Sequence, residues 1–285
     1  VFATVDEGDR VLIPEPTYSL YSDLVQLAGG TPVPVRTRDD HHLDLNALNE
    51  ALPGARLVVL CNPCNPTGAV FSRTELEGLA QLLSDTATLV IADEAYDEVV
   101  YAGVDFSSCL TIPALANRLI YVQTLSKTYA MTGWRLGYVM ACREILDAVA
   151  RVHRTFNGPV NAAVQRAAMR ALRDDGTLKR PMLEAYGRRR ALLLRLLKEI
   201  PGLSVRAPEG TFYAFVKYRH PMPSMEFAAR LREGGVVVRA GSEFGSAGEG
   251  HLRLSFAASE DVIEEGIRRL RAVIVELDCQ MERSR

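Results

Sequence analysis

Short apolar runs alternate with stretches whose apolar positions recur every three or four residues through the first half of the chain. Val11–Ile13 is an apolar run closed by Pro14, and Tyr18–Leu27 reads as a helix ended by Gly29-Gly30. Thr31–Val35 carries two prolines, which suits an extended segment near a sheet edge. Leu57–Leu60 is apolar without alternation, the mark of a strand buried on both faces. A helix capped by Ser72 or Thr74 then runs to about Leu83, with Leu76, Leu79, Ala80 and Leu83 on one side. Thr88–Ala92 and Leu119–Gln123 complete the series of apolar strands. Repetition of strand, helix and strand predicts an α/β unit, a mostly parallel sheet wrapped by helices.

The pattern changes after the Asp174-Asp175-Gly176 turn. A basic, leucine-rich stretch over 179–200 predicts one long helix stopped by Pro201-Gly202. Short strands follow at Leu203–Arg206, Tyr213–Lys217, Val236–Arg239 and Leu252–Phe256, with a helix over Ser224–Glu233 between them. Ile263, Ile267, Leu270, Ile274 and Leu277 form one apolar stripe on a terminal helix. The expected organisation is a large domain over 1–175 and a smaller α+β domain over 176–285.

Composition narrows the classes. Apolar residues make up 48% of the 285 and charged residues 24%, so disorder and fibrous repeats are excluded. The net charge of −2 gives no case for nucleic acid or an anionic membrane as partner, and no apolar run is long enough to span a bilayer. Five cysteines in no staple-like spacing suit a reducing cytoplasm. Cys61 and Cys64 form a C-x-x-C with no second pair to complete a zinc set, so they read as small residues in a strand-end loop. No metal site is expected. His41-His42 with Asp44 reads as a polar loop ahead of a helix.

Ligands of open parallel sheets lie beyond the carboxyl ends of the strands. Tyr18 follows the first strand here, Asn62 to Gly68 the next central one, Asp93-Glu94-Ala95-Tyr96 the third, and Ser126-Lys127 the fourth. Four strand ends thus deliver an aromatic ring, an amide, a carboxylate with a phenol, and an amine to one edge. A lysine in an apolar setting forms Schiff bases with carbonyl compounds. Ser126 and Arg135 could bind an anion beside it, so a phosphate-bearing aldehyde accounts for both the lysine and the arginine. A strand-end Asp93 could hold a metal, act as a base, or pair with a protonated ring nitrogen.

Asn62-Pro63-Cys64-Asn65-Pro66-Thr67-Gly68, Asp93-Glu94-Ala95-Tyr96, Ser126-Lys127 and Arg135, with Glu209 to Tyr213 and Arg253 to Ala257 further on, closely resemble the signatures of class I/II (fold-type I) pyridoxal-phosphate aminotransferases. The likeness runs over essentially the whole chain. It implies a pyridoxal 5'-phosphate cofactor in Schiff-base linkage to Lys127, which also serves as the catalytic base. It implies that Asp93 pairs with the ring nitrogen, that Tyr96 and Asn65 contact the ring oxygen, and that Tyr18 and Ala95 pack on the two ring faces. Ser126 and Arg135 would bind phosphate, and Arg253, with Asn65, the substrate carboxylate. The implied reaction moves an amino group from an α-amino acid to a 2-oxo acid in a cytoplasmic homodimer. Members of that family begin upstream of Val1, so the large domain is expected to be N-terminally incomplete. Arg239-Ala240-Gly241 stands where many relatives carry Pro-Gly. The same ring constellation serves lyases, decarboxylases and synthases of this fold. A cofactor-binding but inactive or effector-type module is the third reading.

Overall fold

The computed structural model describes residues 1–283 of the chain. Its first part contains β1 (Arg10–Glu15), α1 (Leu20–Leu27), β2 (Thr31–Arg36), α2 (Leu45–Ala51), β3 (Ala55–Cys61), α3 (Arg73–Leu82), β4 (Leu89–Asp93), β5 (Leu119–Thr124), α4 (Leu125–Thr128), β6 (Gly137–Met140), α5 (Arg143–Phe156) and α6 (Ala162–Leu172). The second part contains α7 (Arg180–Lys198), β7 (Leu203–Val205), β8 (Tyr213–Tyr218), α8 (Ser224–Glu233), β9 (Arg239–Ala240), β10 (His251–Ser255) and α9 (Glu260–Arg283).

The first sheet has the order β2-β1-β3-β4-β5-β6. All its pairings are parallel except β5 with β6. The two-residue period of a strand explains its double burial. Leu12, Val58, Leu60, Val90, Ala92, Leu119 and Tyr121 join the core on one face, with Leu76, Leu79 and Leu83 around α3. Val11, Ile13, Leu57, Val59, Cys61, Ile91 and Ile120 pack on the opposite face with Val25 of α1. The proline-bearing β2 takes the edge, as its sequence predicts.

The second sheet is antiparallel, in the order β7-β8-β10-β9. One face carries Ala214, Val216, Leu252 and Leu254 against Leu193 and Leu197 of α7, Phe227 and Leu231 of α8, and the α9 stripe from Ile263 to Leu277. The other face turns toward the first sheet. Here the structure departs from the sequence reading in one element. The expected strand over Val236–Arg239 is reduced to the two-residue β9, and Val237 is 83% exposed. Val236 and Val238 pack against the core of this sheet, but only Arg239 and Ala240 pair with β10. The antiparallel β6 is a second difference: its residues are largely exposed, so no burial pattern marks it in the sequence.

Candidate active site

Strand order reverses between β1, which leads to the edge strand β2, and β3, which leads into the centre of the sheet. That switch point opens a crevice at the strands' carboxyl ends. The loop after β3 is held open by its own ties. The amide of Asn62 accepts from Phe71 N–H at 2.8 Å, so this asparagine shapes the loop. Gly68 has φ +76°, and its carbonyl accepts from Glu209 N–H and Gly210 N–H at 2.9 and 2.8 Å. A Cβ at Gly68 would come within 2.4 Å of Pro208, so only glycine allows this close approach to the second half of the chain.

Asp93 ends β4. Its Oδ2 accepts from the Tyr21 hydroxyl at 2.6 Å and its Oδ1 from Ala95 N–H at 3.1 Å. Burial raises its pKa, while Tyr21, Ala95 and the charge of Lys127 act to lower it. Asp93 has no ion pair among the described residues. Next to it, Glu94 is fully buried and burial pushes its carboxyl up to about 7. Its Oε1 accepts from Cys109 N–H at 2.7 Å, so this acid faces the core and not the crevice.

Lys127 lies in the short α4, with its ammonium 5.6 Å from the centre of the Tyr96 ring and 5.7 Å from that of Phe212. No hydrogen bond or ion pair ties this amine among the described residues. The Tyr96 hydroxyl donates to that of Tyr213 at 3.5 Å, and burial with Tyr213 alongside pushes its pKa up. Thr124 caps α4: its hydroxyl accepts from Ser126 N–H and donates to the Ser126 hydroxyl at 2.9 Å. The pairing of Thr124 with Gly137 across β5 and β6 brings Arg135 back toward these hydroxyls. Arg135 adopts φ 54°, ψ 55°, a left-handed conformation unusual for a long side chain, and its guanidinium donates to Thr132 O at 2.9 Å.

The second sheet supplies Arg253. Its Nη1 donates to Asn65 Oδ1 at 2.8 Å, and its guanidinium lies over the rings of Tyr213 (4.1 Å) and Phe244 (4.8 Å). Burial lowers its pKa. Tyr18 is 38% exposed, with its ring edge-on to Tyr21 at 5.7 Å. Asp93, Ala95, Tyr96, Ser126, Lys127, Asn65 and Arg253 therefore gather around one crevice, with Tyr18 at its more exposed rim, whereas the exposed Arg135 is tied to Thr132 and not to these residues. Sequence reasoning missed Tyr21, Thr124, Tyr213 and Phe244. Two of these had a signal: Tyr21 lies one helical turn after Tyr18, and Thr124 occupies the N-cap position ahead of Ser126.

The arrangement suits a particular group. A buried carboxylate without an ion pair, an amine without a hydrogen bond or ion pair among the described residues, and the paired hydroxyls of Thr124 and Ser126 together complement a phosphorylated aldehyde with a protonated ring nitrogen. No group of three or more metal-ligating side chains occurs among the described residues, and no helix among them is long and apolar enough to cross a membrane.

Residues 1–270 match the family model described as aminotransferase class I and II. The aspartate aminotransferase of Pyrococcus abyssi is 36% identical over 283 residues, covering 96% of this chain and 72% of that protein. An aromatic-amino-acid aminotransferase of Thermococcus litoralis is 36% identical, covering 95% and 71%. Among solved structures, the aromatic aminotransferase of Pyrococcus horikoshii superposes with a TM-score of 0.92 at 36% identity, over 96% of this chain and 75% of that one. The aspartate aminotransferase of Thermus thermophilus with maleate gives 0.88 at 33% identity, over 95% and 72%.

Proposed function

The chain belongs to the class I and II aminotransferases, and on that premise we propose which of its residues perform the transfer of an amino group from an α-amino acid to a 2-oxo acid. Membership makes it a pyridoxal 5'-phosphate-dependent transaminase of fold type I. When bound, the cofactor supplies an electrophilic aldehyde and a protonated ring that takes up the electron pair released at the substrate α-carbon.

In the proposed assignment, the Nζ of Lys127 holds the cofactor and moves the proton to and from the α-carbon. Asp93 would pair with the ring nitrogen, where burial raises its pKa and the bonds from Tyr21 and Ala95 oppose that rise in favour of the carboxylate. Tyr96 and the Nδ2 of Asn65 donate to the ring oxygen. Tyr18 and Ala95 cover the ring, and Ser126, Arg135 and the Thr124 hydroxyl bind phosphate. Arg253 takes the substrate carboxylate with its planar fork, steadied by Tyr213, Phe244 and Asn65. The observation that carries this reading is the convergence on one crevice of an untied amine, a buried carboxylate and an aromatic-backed guanidinium.

A cofactor-binding domain over 1–175 and a small domain over 176–285 are supported by two sheets that share no strand and have separate cores. A cytoplasmic homodimer is supported by five free cysteines and by exposed apolar side chains around β6 and α5, among them Trp134, Met140 and Phe156.

The test is a single half-reaction. The cofactor-loaded enzyme is mixed with aspartate, glutamate, phenylalanine or tyrosine without an acceptor. At least one donor is expected to bleach the aldehyde-form absorbance and release one equivalent of its own 2-oxo acid per site, reversed by adding 2-oxoglutarate. Release of carbon dioxide or ammonia in place of the 2-oxo acid would assign lyase or decarboxylase chemistry.

A further inference from the structure

One face of the second sheet meets the first sheet, and it carries more than the crevice residues. Residues opposite one another in an antiparallel pair project to the same side. The pairs Phe215–Arg253 and Lys217–His251 therefore lie on one face. Arg253 serves the crevice just described. One pair further along, Lys217 and His251 open onto a separate cleft of about 400 Å³, within the range of small-molecule sites. It is also lined by Arg36 at the end of β2, by the loop from Thr37 to His41, and by Arg206 just after β7.

The cleft has an unbalanced charge. Arg36, Arg206 and Lys217 are exposed on its rim, and none has an ion-pair partner among the described residues. Arg38 also lines it but is engaged by Asp40 at 3.1 Å and Glu75 at 3.8 Å. Asp39 is the one carboxylate among the lining residues. Three unpaired cations around one concavity outnumber its single carboxylate, and an anion lying between them would offset their mutual repulsion.

Its inner wall is ordered. His251 stacks on Phe215 with the ring planes 1° apart and centroids at 4.6 Å. His41 meets both rings edge-on, at 5.8 Å from Phe215 and 6.0 Å from His251. His41 is held at φ 68°, a left-handed conformation that costs free energy and is concentrated at binding sites. Burial, with His251 and Arg206 nearby, pushes its pKa down to about 4, so at neutral pH the wall is an uncharged imidazole pair beneath a cationic rim.

We propose that this interdomain cleft is a second anion site, separate from the crevice at Lys127, and that it takes a small polyanion bearing phosphate or several carboxylates. Arg36 from the first sheet, Lys217 from the second and Arg206 just after β7 contact the ligand together. An occupant therefore ties the two sheets to one another at the same interface where Arg253 meets Asn65.

The site is tested on the cofactor-loaded enzyme, whose phosphate cup is already filled. Pyrophosphate and citrate are titrated calorimetrically in buffers matched for ionic strength with sodium chloride. Saturable binding of at least one is expected, and the ligand that binds distinguishes a phosphate from a polycarboxylate source. The double variant Arg206→Ala/Lys217→Ala, altered only at exposed positions, is expected to weaken binding roughly tenfold, the effect of two rim charges. Arg253→Lys should leave it unchanged. Heat no greater than the salt control, equal affinity in the double variant, or loss of binding in Arg253→Lys would each overturn the proposal.

Discussion

Burial and hydrogen bonding pull Asp93 in opposite directions, and Tyr21 decides how far its carboxyl stays ionised. Two substitutions separate these effects. Asp93→Asn keeps the shape but removes the negative charge, and turnover should fall about 10²–10³-fold, the scale of losing one preorganised electrostatic partner, with cofactor released more readily on dialysis. Tyr21→Phe keeps the charge but removes the bond that lowers the Asp93 pKa, so the acidic limb of the pH–rate profile should move to higher pH. An unmoved acidic limb would detach Tyr21 from the site. Asp93 and Lys127 were legible in the sequence because a strand end followed at once by a chemical side chain is a local pattern. Tyr21, Tyr213 and Phe244 act through contacts between distant segments. Tyr213 backs Arg253 because β8 and β10 pair, and Phe244 reaches it from the turn after β9, so neither ring carries a local sign of the contact.

At the scale of elements, local signals located α1, α2, α3, α7, α8, α9 and the longer strands, but not α5 and α6, which bury only Ala168 and Ala171 between them. Ser72 begins α3 by accepting from Glu75 N–H at 3.3 Å, while Glu75 accepts from Ser72 N–H at 2.8 Å. The same carboxylate also accepts from Leu43 N–H at 2.9 Å and meets His42 Nδ1 at 3.0 Å. His42 Nε2 lies 3.3 Å from Glu209. The His41-His42 pair read as a polar loop, and in the fold one member clasps two carboxylates from separate elements while the other lines the interdomain cleft. Bonding to Glu209 and then Glu75 raises His42 to about 10. Burial alone would raise Glu75, but its bonds from His42 and Ser72 hold it at about 2. A raised histidine stabilises fully below its unfolded value of 6.5, and this is lost as pH rises through about 10. A lowered glutamate stabilises fully above 4.5, and this is lost as pH falls through about 2. The clasp is therefore strongest between 4.5 and 6.5. His42→Gln should cost about 1.5–3 kcal/mol there, the range for hydrogen bonds to charged groups. In urea unfolding, the gap between the two proteins should close as pH approaches 10. A gap independent of pH would mean that packing, not charge, makes the contact.

For the whole molecule, the change from alternating strands and helices to clustered short strands was enough to foresee two sheets of different kind. Their mutual placement was not, because it depends on Gly68, Glu209 and Arg253 reaching across the interface. The exposed apolar side chains around β6 and α5 belong to the same scale. None of the fourteen residues of α5 is buried, although its apolar positions share one side. Light scattering of the cofactor-loaded protein should therefore give twice 31.4 kDa, and a mass of 31.4 kDa would reject the homodimer. The central claim is that one amine of the chain is the attachment point of the cofactor. The sequence contains four lysines, Lys127, Lys179, Lys198 and Lys217, which makes the question discrete. Borohydride reduction of the loaded enzyme, followed by digestion and mass spectrometry, should place the pyridoxyl group on Lys127 alone, with one group per chain. A label on Lys179, Lys198 or Lys217 with Lys127 unmodified would contradict the account.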